Sequence, residues 1–218
     1  MYLLGIDLGS SSVKASILNI ETGESMATAF SPDVEMNMFA KHPGWAEQHP
    51  ETWVENCIAA IKKIKDNTNI DLNKIQAIGI SYQMHGLVLV DNKGEVLRPS
   101  IIWCDSRAVE IGNKAFSDLG EDYCLGHLLN SPGNFTASKL RWVYNHEQEL
   151  YSKIHKVMLP GDYLAFRLTN EINTTESGLS EGIMWDYKEN KVAGKLLEHY
   201  HIKESLIPPV VPTFSIQG

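Results

Sequence analysis

The sequence lacks the cysteine patterns that would hold a fold together by disulfides or metal. Its three cysteines, Cys57, Cys104 and Cys124, are odd in number and form no C-x-x-C pair. We therefore expect reduced, buried thiols that pack as small hydrophobic side chains. Four histidines are the other candidate metal ligands: His42, His49, His199 and His201. No cluster of acids or cysteines stands near them at ligand spacing, so we expect these histidines at the surface.

Long apolar runs and a basic stripe are absent as well. No stretch approaches the roughly 20 apolar residues of a membrane-spanning helix, and no signal-peptide pattern opens the chain. The net charge of −8 argues against nucleic-acid binding. We expect a cytoplasmic protein with no membrane or nucleic-acid partner. Its 218 residues suffice for one large domain or two small ones.

Two common nucleotide-binding signatures are missing. The sequence has no G-x-x-x-x-G-K-[ST], which excludes a P-loop, and no G-x-G-x-x-G, which argues against a dinucleotide site.

What is present begins with Gly5–Lys14, GIDLGSSSVK. An apolar strand ends near Asp7, and Gly9 with three serines forms a tight turn before a second apolar strand. Such a turn suits a metal-bound polyphosphate, because the acid can hold Mg²⁺ while N–H groups and hydroxyls donate to phosphate oxygens. Lys14 adds a nearby positive charge. On these residues alone, an ordinary hairpin with a solvated Asp7 is the alternative.

The pattern along the chain predicts the fold class. The first three strands, joined by short connections, should pair antiparallel. A helix from Pro50 leads to a buried strand at Ile75–Ser81, and this helix implies a parallel crossover between the earlier strands and that one. The apolar face of that helix includes Ile58. A long surface loop, Ser31–Ala46, precedes it. The predicted strands are Tyr2–Leu8, Val13–Asn19, Glu24–Phe30, Ile75–Ser81, Leu87–Val90 and Ile101–Trp103.

Later helical patterns lie around Ser106–Leu119, Thr136–His146 and Asp162–Leu168, while the proline-rich end Leu206–Pro212 can be neither helix nor central strand. This order is that of an α/β domain of the ribonuclease H-like, or actin-like ATPase, type. Its mixed sheet should begin with three antiparallel strands and be flanked by helices.

Two further groups of polar residues follow predicted strands, where ligands of open α/β sheets collect. In the first, Gln83 and His85 can bind hydroxyls and Met84 offers an apolar surface; a turn whose histidine is satisfied by a carbonyl is the alternative. In the second, Trp103, Asp105 and Arg107 place an aromatic ring, an acid and a guanidinium within five positions, which suits a sugar. There the alternative is that Asp105 or Ser106 caps a helix while Arg107 is solvated.

Together these stretches resemble the FGGY carbohydrate kinases, most closely the xylulose kinases. The resemblance covers essentially all 218 residues in order. The matching stretches are GIDLGSSSVK (5–14), GWAEQHPETW (44–53), QMHG (83–86), RP with IWCDSR (98–107), FTASKLRW (135–142) and LPGDYL (159–164).

The resemblance implies ATP and Mg²⁺ as cofactors and an open-chain pentulose, most simply D-xylulose, as the sugar, with ribulose, fuculose and gluconate as other candidates. Asp7 would be the catalytic and metal-binding acid. The phosphate-binding residues would be Gly9, Ser10, Ser11, Ser12 and Lys14, and the sugar-binding residues Gln83, Met84, His85, Trp103 and Asp105.

Two departures from the family pattern stand out. Family members usually have threonine at one or both of the positions of Ser10 and Ser11, and serine keeps the hydroxyls. The family's catalytic base and its second, nucleotide-binding domain fall beyond residue 218, so we expect an N-terminal fragment that is inactive alone. An apolar cleft wall exposed in such a fragment makes self-association, for example as a homodimer, a risk. An actin-like ATPase and a non-catalytic sugar-binding regulator are the alternative functions.

Overall fold

The computed structural model describes all 218 residues, as two compact units. The first unit comprises Met1–Met38 and His49–Gln83. The second comprises Phe39–Gln48 and Met84–Gly218. The segment Phe39–Gln48 therefore belongs to the second unit, although the first unit precedes and follows it in sequence.

Twelve strands and eight α-helices make up the regular structure. The strands are β1 Tyr2–Leu8, β2 Val13–Asn19, β3 Ser25–Ser31, β4 Glu47–Gln48, β5 Ile75–Tyr82, β6 Val88–Val90, β7 Ser100–Ile101, β8 Lys156–Met158, β9 Thr174–Thr175, β10 Trp185–Asp186, β11 Lys191–Val192 and β12 Val210–Val211. The helices are α1 Pro50–Asn67, α2 Val109–Leu119, α3 Glu121–His127, α4 Thr136–His146, α5 Gln148–Tyr151, α6 Pro160–Thr169, α7 Glu176–Glu181 and α8 Gly194–His199.

The first unit is a four-stranded mixed sheet with the order β3-β2-β1-β5. The pairs β1–β2 and β2–β3 are antiparallel, and β5 runs parallel to β1. The short turns between the first three strands allow only antiparallel pairing, whereas α1 supplies the crossover that a parallel neighbour needs. The predicted mixed sheet with three leading antiparallel strands is confirmed.

One face of this sheet forms the core of the first unit. Leu4, Ile6 and Leu8 alternate along β1 as buried side chains, while Asp7 between them is exposed on the opposite face. Helix α1 begins at Pro50, a favourable first helical residue, and it buries side chains that include Trp53, which is fully shielded from solvent.

Two expectations about apolar residues of the first unit are wrong. Ile58 lies on the outer side of α1 and is 56% exposed. Strand β5 was expected to be buried, but Ile78 is 49% exposed, because β5 is an edge strand hydrogen-bonded only to β1. Apolarity identifies a strand but does not show which of its sides is covered.

The second unit consists of α2 to α8 and short two-stranded sheets around one large apolar cluster. The cluster includes Leu89, Ile101, Leu140 and Tyr200, each at most 1% exposed. The predicted strand at Ile101–Trp103 is only partly correct, because β7 ends at Ile101. Near the chain's end, β12 (Val210–Val211) pairs only with the two-residue strand β9. This agrees with the prediction that Leu206–Pro212 contains no central strand.

All three cysteines are free thiols. Cys57 and Cys124 are buried as expected, but Cys104 is exposed, which corrects that part of the prediction. Burial raises the pKa of Cys57 to about 11, so this thiol stays protonated near neutral pH. None of the helices combines the length and apolar character needed to span a membrane.

Candidate active site

Two of the candidates for the phosphate site, Asp7 and Lys14, lie on the open face of the sheet of the first unit. Asp7 pairs in register with Lys14 on β2 and with Ser81 on β5. Residues opposite each other on neighbouring strands share a face, so an acid, a lysine and a hydroxyl form one row across three strands. The Ser81 hydroxyl lies 3.4 Å from Oδ1 of Asp7. Asp7 and Lys14 are both exposed and can reach a ligand.

The turn that follows Asp7 depends on Gly9. Its N–H donates to the carbonyl of Ser12 at 3.0 Å, and a Cβ at position 9 would lie 2.9 Å from that same oxygen. The turn is therefore too tight for any residue with a side chain. Because the Gly9 N–H is already used, donors to a phosphate must come from other groups of the turn. The carbonyl of Ser11 accepts a hydrogen bond from the N–H of Met36 at 2.8 Å, which anchors the turn.

The residues around Asp7 fit a magnesium ion that is shared with a substrate. No group of three histidine, cysteine, aspartate or glutamate side chains comes together as a metal cage. Mg²⁺ in phosphate-transfer sites typically takes one or two carboxylates, phosphate oxygens and water. The single exposed carboxylate of Asp7, beside serine hydroxyls and Lys14, matches such a donor set.

In the second unit, a tight turn at Met84–His85 presents the sugar-binding candidates. His85 has φ 57°, the left-handed region that non-glycine residues rarely adopt. Gly86 follows, and a Cβ there would lie 2.4 Å from Cγ of Pro160 at the start of α6. The imidazole of His85 packs edge-on against Phe135, with ring centroids 4.2 Å apart. The Met84 side chain is 53% exposed.

Two ionisable residues that the sequence reasoning did not assign hold this turn. Nδ1 of His85 lies 2.9 Å from Oε1 of Glu181 and 3.0 Å from the Glu181 carbonyl oxygen. The backbone N–H of His85 donates to the same Oε1. Nζ of Lys139 donates to the His85 carbonyl at 2.7 Å.

Lys139 is fully buried in α4. Desolvation lowers the pKa of its ammonium group to about 8, although the carboxylates of Asp105 and Glu181 partly oppose that shift. At neutral pH the group is still mainly protonated, so it keeps its positive charge beside the His85 carbonyl.

The other predicted sugar contacts fare differently. Both amide atoms of Gln83 are shielded from solvent and have no hydrogen-bond partner, so a ligand cannot reach them in this conformation. Trp103 is 48% exposed and accessible to a ligand.

The assignment of Asp105 to the sugar site is corrected by the structure. Asp105 is fully buried, and its Oδ2 accepts hydrogen bonds from the N–H of Ala46 at 2.6 Å and from the Arg107 guanidinium at 2.6 Å. A carboxylate without exposed surface cannot contact a sugar. Its role is to hold Arg107 and the Ala46 backbone in place. The alternative interpretation was also wrong about Arg107, whose side chain is 1% exposed.

Arg107 lies at the centre of a buried cluster of charged and aromatic groups. Its guanidinium lies 3.7 Å from the ring centroid of Trp45 and 4.8 Å from that of Trp142. Glu47 contacts both Arg107 and Arg98. These contacts fix the segment Phe39–Gln48 within the second unit, so the predicted surface loop is in part an anchored element.

The stretch Gly178–Gly182, GLSEG, matches the G-x-S-x-G pattern of nucleophilic serines. Ser180 lies inside α7, however, whereas that motif requires a serine at a strand-to-helix turn. Its hydroxyl accepts a hydrogen bond from Tyr187 at 2.6 Å. The structure gives this match no catalytic meaning.

The mixed sheet of the first unit, with an acid on its open face beside a glycine–serine turn, defines an α/β domain of the actin-like ATPase type. The model of the FGGY family of carbohydrate kinases, N-terminal domain, matches residues 2–218. The chain belongs to this family.

Similar proteins agree with this result. A xylulose kinase from Klebsiella pneumoniae is 40% identical over 219 residues, covering 100% of this chain and 44% of the relative. A xylulose kinase from Escherichia coli (strain K12) is 36% identical, covering 100% and 43%. The crystal structure of xylulose kinase from Rhodospirillum rubrum matches with a TM-score of 0.89 and 27% identity, covering 100% of this chain and 44% of that one. The chain thus spans less than half the length of these relatives.

Proposed function

We propose that this chain is the N-terminal domain of a longer kinase that uses ATP and Mg²⁺ to phosphorylate a pentulose, converting D-xylulose to D-xylulose 5-phosphate. The observation that carries the proposal is the match of the entire chain to xylulose kinases at 36% and 40% identity. The exposed Asp7 row and the braced His85 turn support it, since each offers polar groups to a ligand.

On the phosphate side, the open-face carboxylate of Asp7 would hold Mg²⁺, which when bound neutralises charge on the β- and γ-phosphates. Lys14 adds a positive charge in the same cross-strand row. The serine hydroxyls of the turn would orient the terminal phosphate. Phosphoryl transfer depends mainly on such positioning and charge stabilisation, so these residues need not react covalently.

On the sugar side, His85 would accept or donate a hydrogen bond to a hydroxyl of the open-chain pentulose. The exposed Met84 and Trp103 would contact its carbon chain. The general base that takes the proton from the attacking hydroxyl is proposed to lie in the remainder of the longer protein, beyond residue 218. The isolated chain should therefore bind a sugar weakly at most and should not turn it over.

A thermal-shift series tests the ligand class. We expect D-xylulose to raise the melting temperature of the full-length protein in the absence of nucleotide, because ligands that bind only the folded state stabilise it. Stabilisation by ATP alone, with no pentulose effect, would instead favour an actin-like ATPase. Stabilisation by sugar without any phosphorylation would favour a sugar-binding regulator.

A coupled assay tests the fragment. With ATP, Mg²⁺ and D-xylulose, residues 1–218 alone should show no turnover while the full-length protein does. Robust turnover by the isolated chain would overturn the placement of the base outside it.

A further inference from the structure

Three polar groups of His85 are contacted by two residues from elsewhere in the second unit, Glu181 and Lys139. Its N–H and its Nδ1 both meet Oε1 of Glu181, at the end of α7, and its carbonyl accepts a hydrogen bond from Lys139 of α4. The left-handed backbone at φ 57° is unfavourable for a histidine. Such a conformation persists where surrounding contacts enforce it, and these contacts do so.

The contacts of Nδ1 also decide which ring nitrogen carries the proton. Its two neighbours, Oε1 and the carbonyl oxygen of Glu181, lie at 2.9 and 3.0 Å. A carboxylate and a carbonyl only accept hydrogen bonds, so Nδ1 must be the protonated donor. In the neutral imidazole, Nε2 is then left as an acceptor.

We propose that Glu181 is a positioning residue that fixes the backbone turn and the Nδ1–H tautomer of His85, so that Nε2 accepts a hydrogen bond from a hydroxyl of the sugar. This inference rests on the proposed function and deepens it, since it specifies which atom of His85 recognises the substrate and why that atom is an acceptor. Glu181 acts through His85 and does not itself touch the sugar.

A set of variants of the full-length protein tests this role. Glu181→Ala removes the two contacts made by Oε1 and leaves the backbone carbonyl of residue 181 beside Nδ1. We expect it to raise KM for D-xylulose about tenfold, the change expected for loss of a hydrogen bond to a charged group, with KM for ATP unchanged. Glu181→Gln keeps an acceptor oxygen and should recover most of the loss. Glu176→Ala, an exposed acid on the same helix, is the matched control and should change neither constant.

A double-mutant cycle with His85→Ala separates positioning from direct contact. If Glu181 works through His85, Glu181→Ala should raise KM for D-xylulose no further once His85 is gone. Additive effects would show that Glu181 acts independently of His85 and would overturn the proposal. Equal increases in KM for D-xylulose and KM for ATP in Glu181→Ala would also overturn it, because they would indicate a general folding defect.

The same cycle distinguishes failure of this inference from failure of the proposed function. If His85→Ala raises KM for D-xylulose and Glu181→Ala does not, only the role of Glu181 is wrong. If His85→Ala itself leaves KM for D-xylulose unchanged, His85 does not contact the sugar. In that case both the proposed sugar contact of His85 and the proposed role of Glu181 are wrong.

Discussion

Glu47 and Arg107 form an ion pair 2.8 Å apart in which both side chains are shielded from solvent, with exposed fractions of 2% and 1%. They are far apart in sequence, and their contact joins the segment Phe39–Gln48 to the start of the region that leads into α2. Trp45 covers the guanidinium of Arg107 from one side. A buried pair of this kind fixes one arrangement, because breaking it leaves an uncompensated charge.

Removing Arg107 should therefore destabilise the chain strongly. We expect Arg107→Leu to lower the free energy of unfolding by about 3–5 kcal/mol, since the buried carboxylate of Asp105 loses its charged partner and that of Glu47 keeps only Arg98. Urea denaturation measures the change. Lys114→Ala removes one partner of the exposed pair with Asp118 in the same unit and should cost at most about 1 kcal/mol. Equal losses in the two variants would contradict the assignment of the Arg107 cluster as a stabilising core.

Asp7 should matter for catalysis and not for stability. In the full-length protein, Asp7→Asn is expected to lower kcat on the order of 100-fold, because it removes charge from the proposed Mg²⁺ position. Its melting temperature should stay close to that of the wild type, since the side chain is exposed. Asp33→Asn, which changes an exposed acid of the same unit, should leave kcat unchanged. Steady-state kinetics at saturating Mg²⁺ and ATP compares the three proteins, and an unaffected kcat in Asp7→Asn would remove Asp7 from the site.

The turn after His85 should not tolerate a side chain at Gly86. An added Cβ would lie 2.4 Å from Cγ of Pro160, so we expect Gly86→Ala to cost about 1–3 kcal/mol through overpacking. Gly79→Ala is the matched control, because a Cβ there meets nothing within 4 Å. Denaturation curves of the two variants should separate clearly. Similar midpoints would mean that the turn adapts without cost.

Asp162 should give stability a specific pH dependence. Burial raises the pKa of its carboxyl group to about 7, although hydrogen bonds from Thr174 and the Leu159 N–H partly oppose the shift. Between the unfolded pKa, about 4, and the folded value, the folded state retains a proton that the unfolded chain has released. Stability from this group is therefore present at low pH and falls as the pH rises towards 7, by at most about 1.4 kcal/mol per pH unit.

Asp162→Asn should remove that dependence, so its stability relative to the wild type should increase from pH 4 to pH 7 and then level off. Urea denaturation across this range measures the difference. The exposed control Asp66→Asn should show no such trend. A constant difference for Asp162→Asn would show that the carboxyl group is ionised throughout.

The sequence predicted the first unit better than the second. β1 and β2 have the predicted bounds, Tyr2–Leu8 and Val13–Asn19, because alternating apolar residues and short turns determine both strands and pairing. In the second unit, α4 was predicted at its observed bounds, Thr136–His146. Helices of four to seven residues were missed, since they are too short to show a helical period; they are α3, α5, α7 and α8.

The candidate site follows the same division. The placement of Asp7 beside Lys14 could be anticipated, because a short turn joins the two antiparallel strands that carry them. Lys139 and Glu181 could not be assigned, because they lie 54 and 96 residues from His85 and only folding brings them to it. The one available sequence signal was that Lys139 stands in FTASKLRW (135–142), one of the stretches that resemble the family. Asp105 was misassigned because its partner Ala46 is 59 residues away.

The central claim is that this chain contributes the phosphate- and sugar-binding residues of an ATP-dependent pentulose kinase. The most direct measurement is the initial rate of ATP consumption by the full-length protein with Mg²⁺ and each of D-xylulose, ribulose, fuculose and gluconate. The account predicts the highest kcat/KM for D-xylulose, with phosphate transferred to the sugar. ATP hydrolysis at the same rate with and without any of these sugars would contradict it.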